Sequence, residues 1–391
     1  MSHSTHPSPD AHRERILVVR NRYIGDTLLA IPFLRNLRLH FPDAKIDVLV
    51  EAGSGSVLAE CPYKDELITW QRPAKSNGLM PTSLGNILDN ASRLRDRGYT
   101  RTYLLKRSFS SGLLVWLAGI PHRVGGSFQG RHLLLTKSLP IASTRHEAEH
   151  FLDLLRGDGI EVDDGHNENW TSEAAADRVA EVLADLPVGR PRVFLAPKAS
   201  NSIREWPLDR MAAAADWLVS QRHCEICFCG APRDIAAHDA IRNLMQPEHR
   251  EHVHDFSKDL RLDETGAFLA KMDLYVGVDT GLAHLAASYR TPVVVLFGPS
   301  DPNQWHPWGT PYEVVRGRHL RQRWGHRWSQ WQAARSKTRL RWPLGDATME
   351  DISVEQVTEA AERLLLAVRP PVVLSPPKFQ QRTRSPMPIG N

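Results

Sequence analysis

The stretch Val276-Gly277-Val278-Asp279-Thr280-Gly281-Leu282-Ala283-His284, with its continuation to Pro299, constrains the fold most. An apolar run ends at Val278, a turn of small residues follows, then a helical run, then a second apolar run from Val293 to Phe297. That is a strand–turn–helix–strand unit, the building block of a parallel α/β sheet. The turn puts backbone N–H groups and the positive end of a helix dipole at the carboxyl edge of the sheet, which suits an anion, most naturally a diphosphate. Gly281 lets a ligand approach the backbone closely. A helix capped by Asp279 with no ligand accounts for the same three residues.

Two further stretches repeat the logic. Ile16-Leu17-Val18-Val19 runs through Arg20 into a turn with Gly25 and Asp26, then into an apolar helical pattern. Phe194-Leu195-Ala196-Pro197 leads into a polar loop with Lys198, Ser200 and Arg204, then Trp206-Pro207. With these three blocks in this order, the chain resembles glycosyltransferase family 9, the heptosyltransferases of lipopolysaccharide core assembly. The resemblance covers residues 14–310 and a last helix near 353–367. It implies a GT-B arrangement: two Rossmann-like doubly wound domains facing across a cleft.

Alternating strand and helix patterns agree with an α/β fold. Strands read at Ile16–Val19, Ile46–Val50, Glu66–Thr69 and Thr102–Leu105, with helices at Thr27–His40, Ser83–Arg97 and Gly112–Ala118. An amphipathic helix at 146–158 and a polar linker precede a second alternating set that ends at Phe297. The expected organisation is a disordered tail at 1–12, an acceptor-binding domain at 13–165, and a linker with a helix at 166–190. A nucleotide-sugar-binding domain at 191–350, a closing helix at 351–369 and a disordered tail at 370–391 complete it. The 391 residues and 41% hydrophobic content suit two ordinary domains. Apolar runs are of strand length and residues 1–12 carry no apolar leader, so a cytoplasmic chain is expected, at most peripheral at the inner membrane. A net charge of +4 permits anionic partners without naming one.

Sugar transfer from a nucleotide donor needs a base for the acceptor hydroxyl, charge stabilisation for the departing diphosphate, and contacts that fix the sugar. Asp26, after the first strand, is the base candidate; an N-cap of a helix beginning at Thr27 is the competing reading. The resemblance implies the catalytic role. Arg204, with Ser200 upstream, is the cation candidate for the diphosphate, since a guanidinium can fork two phosphate oxygens. A carboxylate repels a diphosphate, so Asp279 suits sugar hydroxyls, while the amides of Thr280, Gly281 and Leu282 suit phosphate. His284, one helical turn in, reaches the phosphate or belongs to the core. Asp234 resembles the acid that grips the nucleotide ribose in the family.

Lys106, Arg107 and Arg123 are the acceptor candidates, suited to the carboxylates or phosphates of a lipopolysaccharide inner core. His146-Glu147-Ala148-Glu149-His150 is a literal H-E-x-x-H, the basis of an alternative reading as a zinc hydrolase, but the expected third ligand is missing. Cys224, Cys227 and Cys229 lie on one strand, where Cys227 and Cys229 share a face and Cys224 does not, as buried cysteines rather than ligands. A non-catalytic sugar-nucleotide-binding or membrane-associated protein is the other alternative. Between Glu313 and Asp346 there is no acid, and nine cationic residues are interleaved with Trp324, Trp328, Trp331 and Trp342. Such a segment suits an anionic membrane surface or a solvated loop. The expectation is an inverting, metal-independent transferase with no cofactor. Its partners are a nucleotide-sugar donor, which the resemblance implies is ADP-heptose, and an anionic glycolipid or glycan acceptor, without nucleic acid.

Overall fold

The computed structural model describes residues 14–317 and 348–367, apart from 21–22, 52, 71–83, 129, 141–144 and 164. The expected tails and residues 318–347 of the basic segment lie outside the described residues.

The first half runs β1 (Arg15–Val19), α1 (Ile24–Leu28), α2 (Ile31–His40), β2 (Lys45–Glu51), β3 (Glu66–Trp70), α3 (Leu84–Arg95), β4 (Arg101–Leu104), α4 (Phe109–Leu117), β5 (His122–Gly126), β6 (Lys137–Leu139) and α5 (Glu147–Gly157). α6 (Glu173–Val182) leads into the second half: β7 (Arg192–Ala196), α7 (Leu208–Arg222), β8 (Glu225–Phe228), α8 (Ile235–Leu244), β9 (Val253–Asp255), α9 (Leu262–Leu269), β10 (Leu274–Val278), α10 (Gly281–Ser288), β11 (Val293–Phe297), α11 (Pro302–Trp305), β12 (Tyr312–Arg316) and α12 (Val354–Ala367).

Each half is a six-stranded parallel sheet, ordered β3-β2-β1-β4-β5-β6 and β12-β11-β10-β7-β8-β9. Strand order reverses between β1 and β4 in one sheet and between β7 and β10 in the other. Such a reversal opens a crevice outside the carboxyl ends of the two central strands, because their crossover helices leave on opposite faces. Both central pairs are in close register: Val19 lies beside Leu104, and Gly277 beside Ala196.

The two halves share an interior. Ile16, Val18, Phe33 and Phe151 belong to one continuous apolar cluster with Phe268, Leu285 and Phe297. A second cluster, under α7 and α12, belongs to the second sheet alone. Cys227 and Cys229 fall in the shared cluster and Cys224 in the other, as strand alternation requires.

The helix expected over Thr27–His40 is broken. Pro32, near the start of α2, has no N–H to donate to Leu28, so the ladder interrupts at Leu29 and Ala30. The strand β5 and the short edge strands β6 and β9 carry too few alternating apolar residues to have been expected.

Candidate functional site

The donor side forms at the β7/β10 crevice. The loop after β7 closes through a short turn, Ser202–Arg204. There the Asn201 carboxamide oxygen accepts from the Ile203 N–H at 3.2 Å. This directs Arg204 across to the next strand end. Its Nη1 donates to the Asp279 carbonyl at 3.2 Å and lies 3.4 Å from Asp279 Oδ2, while Nη2 donates to Ser200 Oγ at 2.6 Å. Ser200, Arg204 and Asp279 are thus brought together as the resemblance implied. Lys198 is held by Glu205 at 2.6 Å.

Thr280 takes the N-cap position of α10 with extended backbone, and Gly281 opens the helix. Among the described residues no side chain caps this N-terminus, so the orientation of its first amides is set by the backbone alone. Asp234 sits at the carboxyl end of β8, one strand from the crevice. Its Oδ2 accepts from the Ala231 N–H at 3.1 Å and closes the turn.

Facing this is the β1/β4 crevice of the other sheet. Asp26 does not cap a helix at Thr27; it lies inside the first turn of α1, which begins at Ile24. The N-cap position belongs to Tyr23, whose φ of 52° is in the left-handed region. Instead of capping, the Asp26 carboxylate forms an ion pair with Arg20, which is 4% exposed. Arg20 Nε also donates to the Asp26 carbonyl at 3.0 Å, and the guanidinium stacks over Phe151.

The two crevices meet where α1 packs on α10. A Cβ at Gly25 would lie 2.7 Å from His284 Cδ2 and 3.3 Å from the Gly281 Cα, and one at Gly281 would lie 3.2 Å from the Gly25 nitrogen. Only glycine at both positions permits this approach. His284 is buried in the seam, and among the described residues its Nδ1 has no hydrogen-bond partner. Burial pulls its pKa down, opposed by Asp279 and Asp26 on either side. Asp26 of one half therefore stands near the turn that opens α10 in the other.

With this geometry in place, likeness to known proteins is informative. Residues 87–326, more than half of the chain, match the family model described as glycosyltransferase family 9 (heptosyltransferase). The chain belongs to glycosyltransferase family 9. It is similar to lipopolysaccharide heptosyltransferase 2 of Escherichia coli K12, with 26% identity over 321 residues, 77% of this chain and 88% of that protein. To lipopolysaccharide heptosyltransferase 3 of the same strain it is 28% identical over 294 residues, covering 73% of this chain and 83% of that one. The solved structure of E. coli ADP-heptose lps heptosyltransferase II aligns with a TM-score of 0.69 at 24% identity, over 90% of this chain and 98% of that one. The fold is GT-B, as the resemblance implied.

Of the acceptor candidates in this family 9 member, Lys106 and Arg107 follow β4 at the crevice. Arg123 does not. It is the second residue of β5, level with Thr102, the second residue of β4. Its guanidinium donates to the carbonyls of Leu134 at 2.7 Å and Ile120 at 2.5 Å. The acceptor assignment of Arg123 is therefore corrected: it braces a turn at the opposite edge of the sheet.

Three residues without an assigned role shape the site. Arg20 holds Asp26. Glu147, almost fully buried, pairs with Arg107. Burial pushes its carboxyl up while Arg107 and Arg20 pull it down. Arg131, fully buried, donates to the carbonyls of Lys106 and Gly126, and burial lowers its pKa to about 10. An arginine directly after an apolar strand was the available signal for Arg20.

His146 and Glu147 of the H-E-x-x-H run have other employment. His146 Nδ1 accepts from the Ala148 N–H at 3.2 Å and Nε2 donates to the His306 carbonyl at 2.9 Å, so both ring nitrogens are engaged. Among the described residues no group of three or more His, Cys, Asp or Glu side chains could hold a metal ion.

Proposed function

We propose that the chain is an inverting heptosyltransferase that moves heptose from ADP-heptose to a lipopolysaccharide-core or related glycan acceptor. One observation carries the reading: Asp26 and the Arg204–Asp279–Gly281 turn come from opposite halves and meet at the α1/α10 seam. The acceptor hydroxyl oxygen attacks the anomeric carbon as the bond from that carbon to the diphosphate oxygen breaks. Asp26 takes the hydroxyl proton. A single displacement inverts the anomeric centre. Arg204, with the amides of Thr280, Gly281 and Leu282, receives the charge that develops on the leaving diphosphate. Asp279 orients Arg204 and accepts from sugar hydroxyls, and Asp234 takes the ribose. Direct positive charge from a guanidinium and a helix N-terminus supports metal-independent transfer.

Lys106 and Arg107, at the acceptor crevice, suit an anionic inner core. For a lipid-linked acceptor the enzyme works at the inner-leaflet surface, and the basic segment 314–344 supplies cations for that approach. No helix of the described residues is long and apolar enough to cross a membrane.

The test is transfer from ADP-, GDP- and UDP-linked sugars to a lipid A–inner core acceptor, in excess EDTA, with the product anomer read by NMR. The expected result is ADP release coupled to product of inverted configuration from ADP-heptose. Equal use of the three nucleotides, or loss of activity in EDTA restored by zinc, overturns the reading.

A further inference from the structure

α4 has the sequence Phe-Ser-Ser-Gly-Leu-Leu-Val-Trp-Leu, without one charged residue. Its inner face, Ser111, Gly112, Leu114 and Val115, is buried. The outer face should then be polar, as on a surface helix of a globular protein. It instead exposes Phe109 and Trp116, flanked by half-buried Leu113 and Leu117 that pack in part on the core. Trp116 is 50% exposed. Neighbouring elements extend the surface: Leu84 and Leu88, one turn apart on α3, are exposed, as is Phe128, and Leu133 is 80% exposed. α3 and α4 pack together, and α4 also packs against the turn Arg131–Leu134.

The placement is directional. Helices of a parallel sheet begin at the carboxyl edge of the preceding strand, so Leu84, Leu88 and Phe109 lie at the edge that holds the site. Phe128 follows the carboxyl end of β5, while Trp116, in the last turn of α4, and Leu133, beside the Leu134 carbonyl that Arg123 holds, lie toward the other edge, so the surface starts at the site edge and runs along α4. Phe109 is two residues beyond Arg107, so the surface abuts the acceptor crevice. Its polar neighbours are chiefly cationic: Lys106, His132, Arg93 and Arg95, against Asp89 and Asp96. Arg95 donates to the Leu117 carbonyl at 2.7 Å, one residue from Trp116. Exposed aliphatic residues, an exposed Trp and a rim of Lys, Arg and His are the chemistry of a surface that enters the headgroup region of an anionic bilayer.

We propose that the outward face of α4, with Leu84 and Leu88 of α3 and the turn holding Phe128 and Leu133, inserts into an anionic membrane surface at the mouth of the acceptor crevice. This surface is distinct from the segment 314–344, and its binding has a different dependence on salt. Attraction of cations to the leaflet falls as salt rises, whereas insertion of apolar side chains persists. The inference uses the lipid-linked acceptor of the proposed function to explain the surface's purpose, but its test needs neither donor nor acceptor.

The full chain is sedimented with phosphatidylethanolamine vesicles containing about 30% phosphatidylglycerol, at about 0.1 M and about 0.5 M salt. The parent should keep a salt-resistant fraction bound. The triple variant Phe109→Ser, Trp116→Gln, Leu133→Gln should lose that fraction by about tenfold or more, with an unchanged thermal melt. Leu133→Cys can be labelled selectively, because Cys61, Cys224, Cys227 and Cys229 are all buried. Its environment-sensitive dye should shift to the blue on vesicles, while a dye at Val188→Cys, on an exposed loop residue, should not. Equal sedimentation of parent and triple variant overturns the proposal. So does a parent dimer that the triple variant dissolves without any change in vesicle binding, since a second copy would then cover the face. Failure of sugar transfer with salt-resistant binding intact would count against the enzyme reading alone.

Discussion

At the residue scale, the site is held by arginines that touch carboxylates and carbonyls. Arg204 is fixed by Ser200 and Asp279 before any diphosphate arrives, so little side-chain freedom remains to be lost on binding. Arg204→Ala should weaken nucleotide diphosphate binding by about 1.5–3 kcal/mol, the range for hydrogen bonds to a charged group. Calorimetric titration with ADP checks this, and unchanged affinity would remove Arg204 from the site. Much of this side was legible, because Ser200, Arg204 and Asp279–Leu282 lie in short runs just after strands, where the crevice must be. Arg123 was misread for a reason of the same kind. Arginine content marks a loop as basic, but only strand register shows which edge of the sheet it occupies. Glu147 was hidden by its motif. H-E-x-x-H spacing points to a metal, whereas burial beside Arg107 makes this glutamate an ion-pair partner.

At the element scale, the contact of α1 with α10 joins the two crevices. No local sequence pattern announces it, since each glycine reads as a turn residue of its own strand–helix unit. The meeting of Gly25 and Gly281 is a property of two sheets packed together. A methyl group at Gly25 must displace the buried ring of His284 or push the helices apart. Gly25→Ala should therefore cost about 1–3 kcal/mol of stability, as overpacking does. It should also lower transfer by more than a similar stability loss elsewhere, for example Ile241→Val at a buried position of α8. Denaturant unfolding and kcat measured together decide the point; parent-like values of both would show that the seam relaxes freely. The break between α1 and α2 is also clear in hindsight, since Pro32 removes the amide that would bond Leu28.

At the scale of the whole molecule, the halves are tied by more than the seam. Trp308 Nε1 donates to the Gly165 carbonyl at 2.7 Å, Asn167 Nδ2 to the Trp308 carbonyl at 2.9 Å, and His146 stacks on Trp308. The fold class was legible because period and turn signals repeat along the chain. These ties were not, because they join residues more than a hundred positions apart. They also bury histidines as neutral rings. Burial lowers His146 to about 3 and His150 to about 4, and lowers His284 and His306 as well. As pH falls below the ordinary 6.5, the unfolded chain takes up protons that the native rings refuse, so stability falls with falling pH. Glu147 and Asp47, raised by burial, act in the opposite sense. The histidines outnumber the two raised carboxyls, so stability should fall as pH drops from about 6.5 toward about 5. Denaturation midpoints across that window check it; a flat or rising profile toward acid would mean that these histidines titrate normally in the native state.

The central claim, that two half-sites meet to place a base opposite a diphosphate cradle, is tested most directly by Asp26→Asn. The substitution preserves size and can still hydrogen-bond to Arg20, but it cannot take the acceptor proton. Turnover of ADP-heptose with the lipid A–inner core acceptor should fall by about a hundredfold or more, with ADP affinity unchanged. Near-parental turnover in this variant, with the fold intact, would contradict the account.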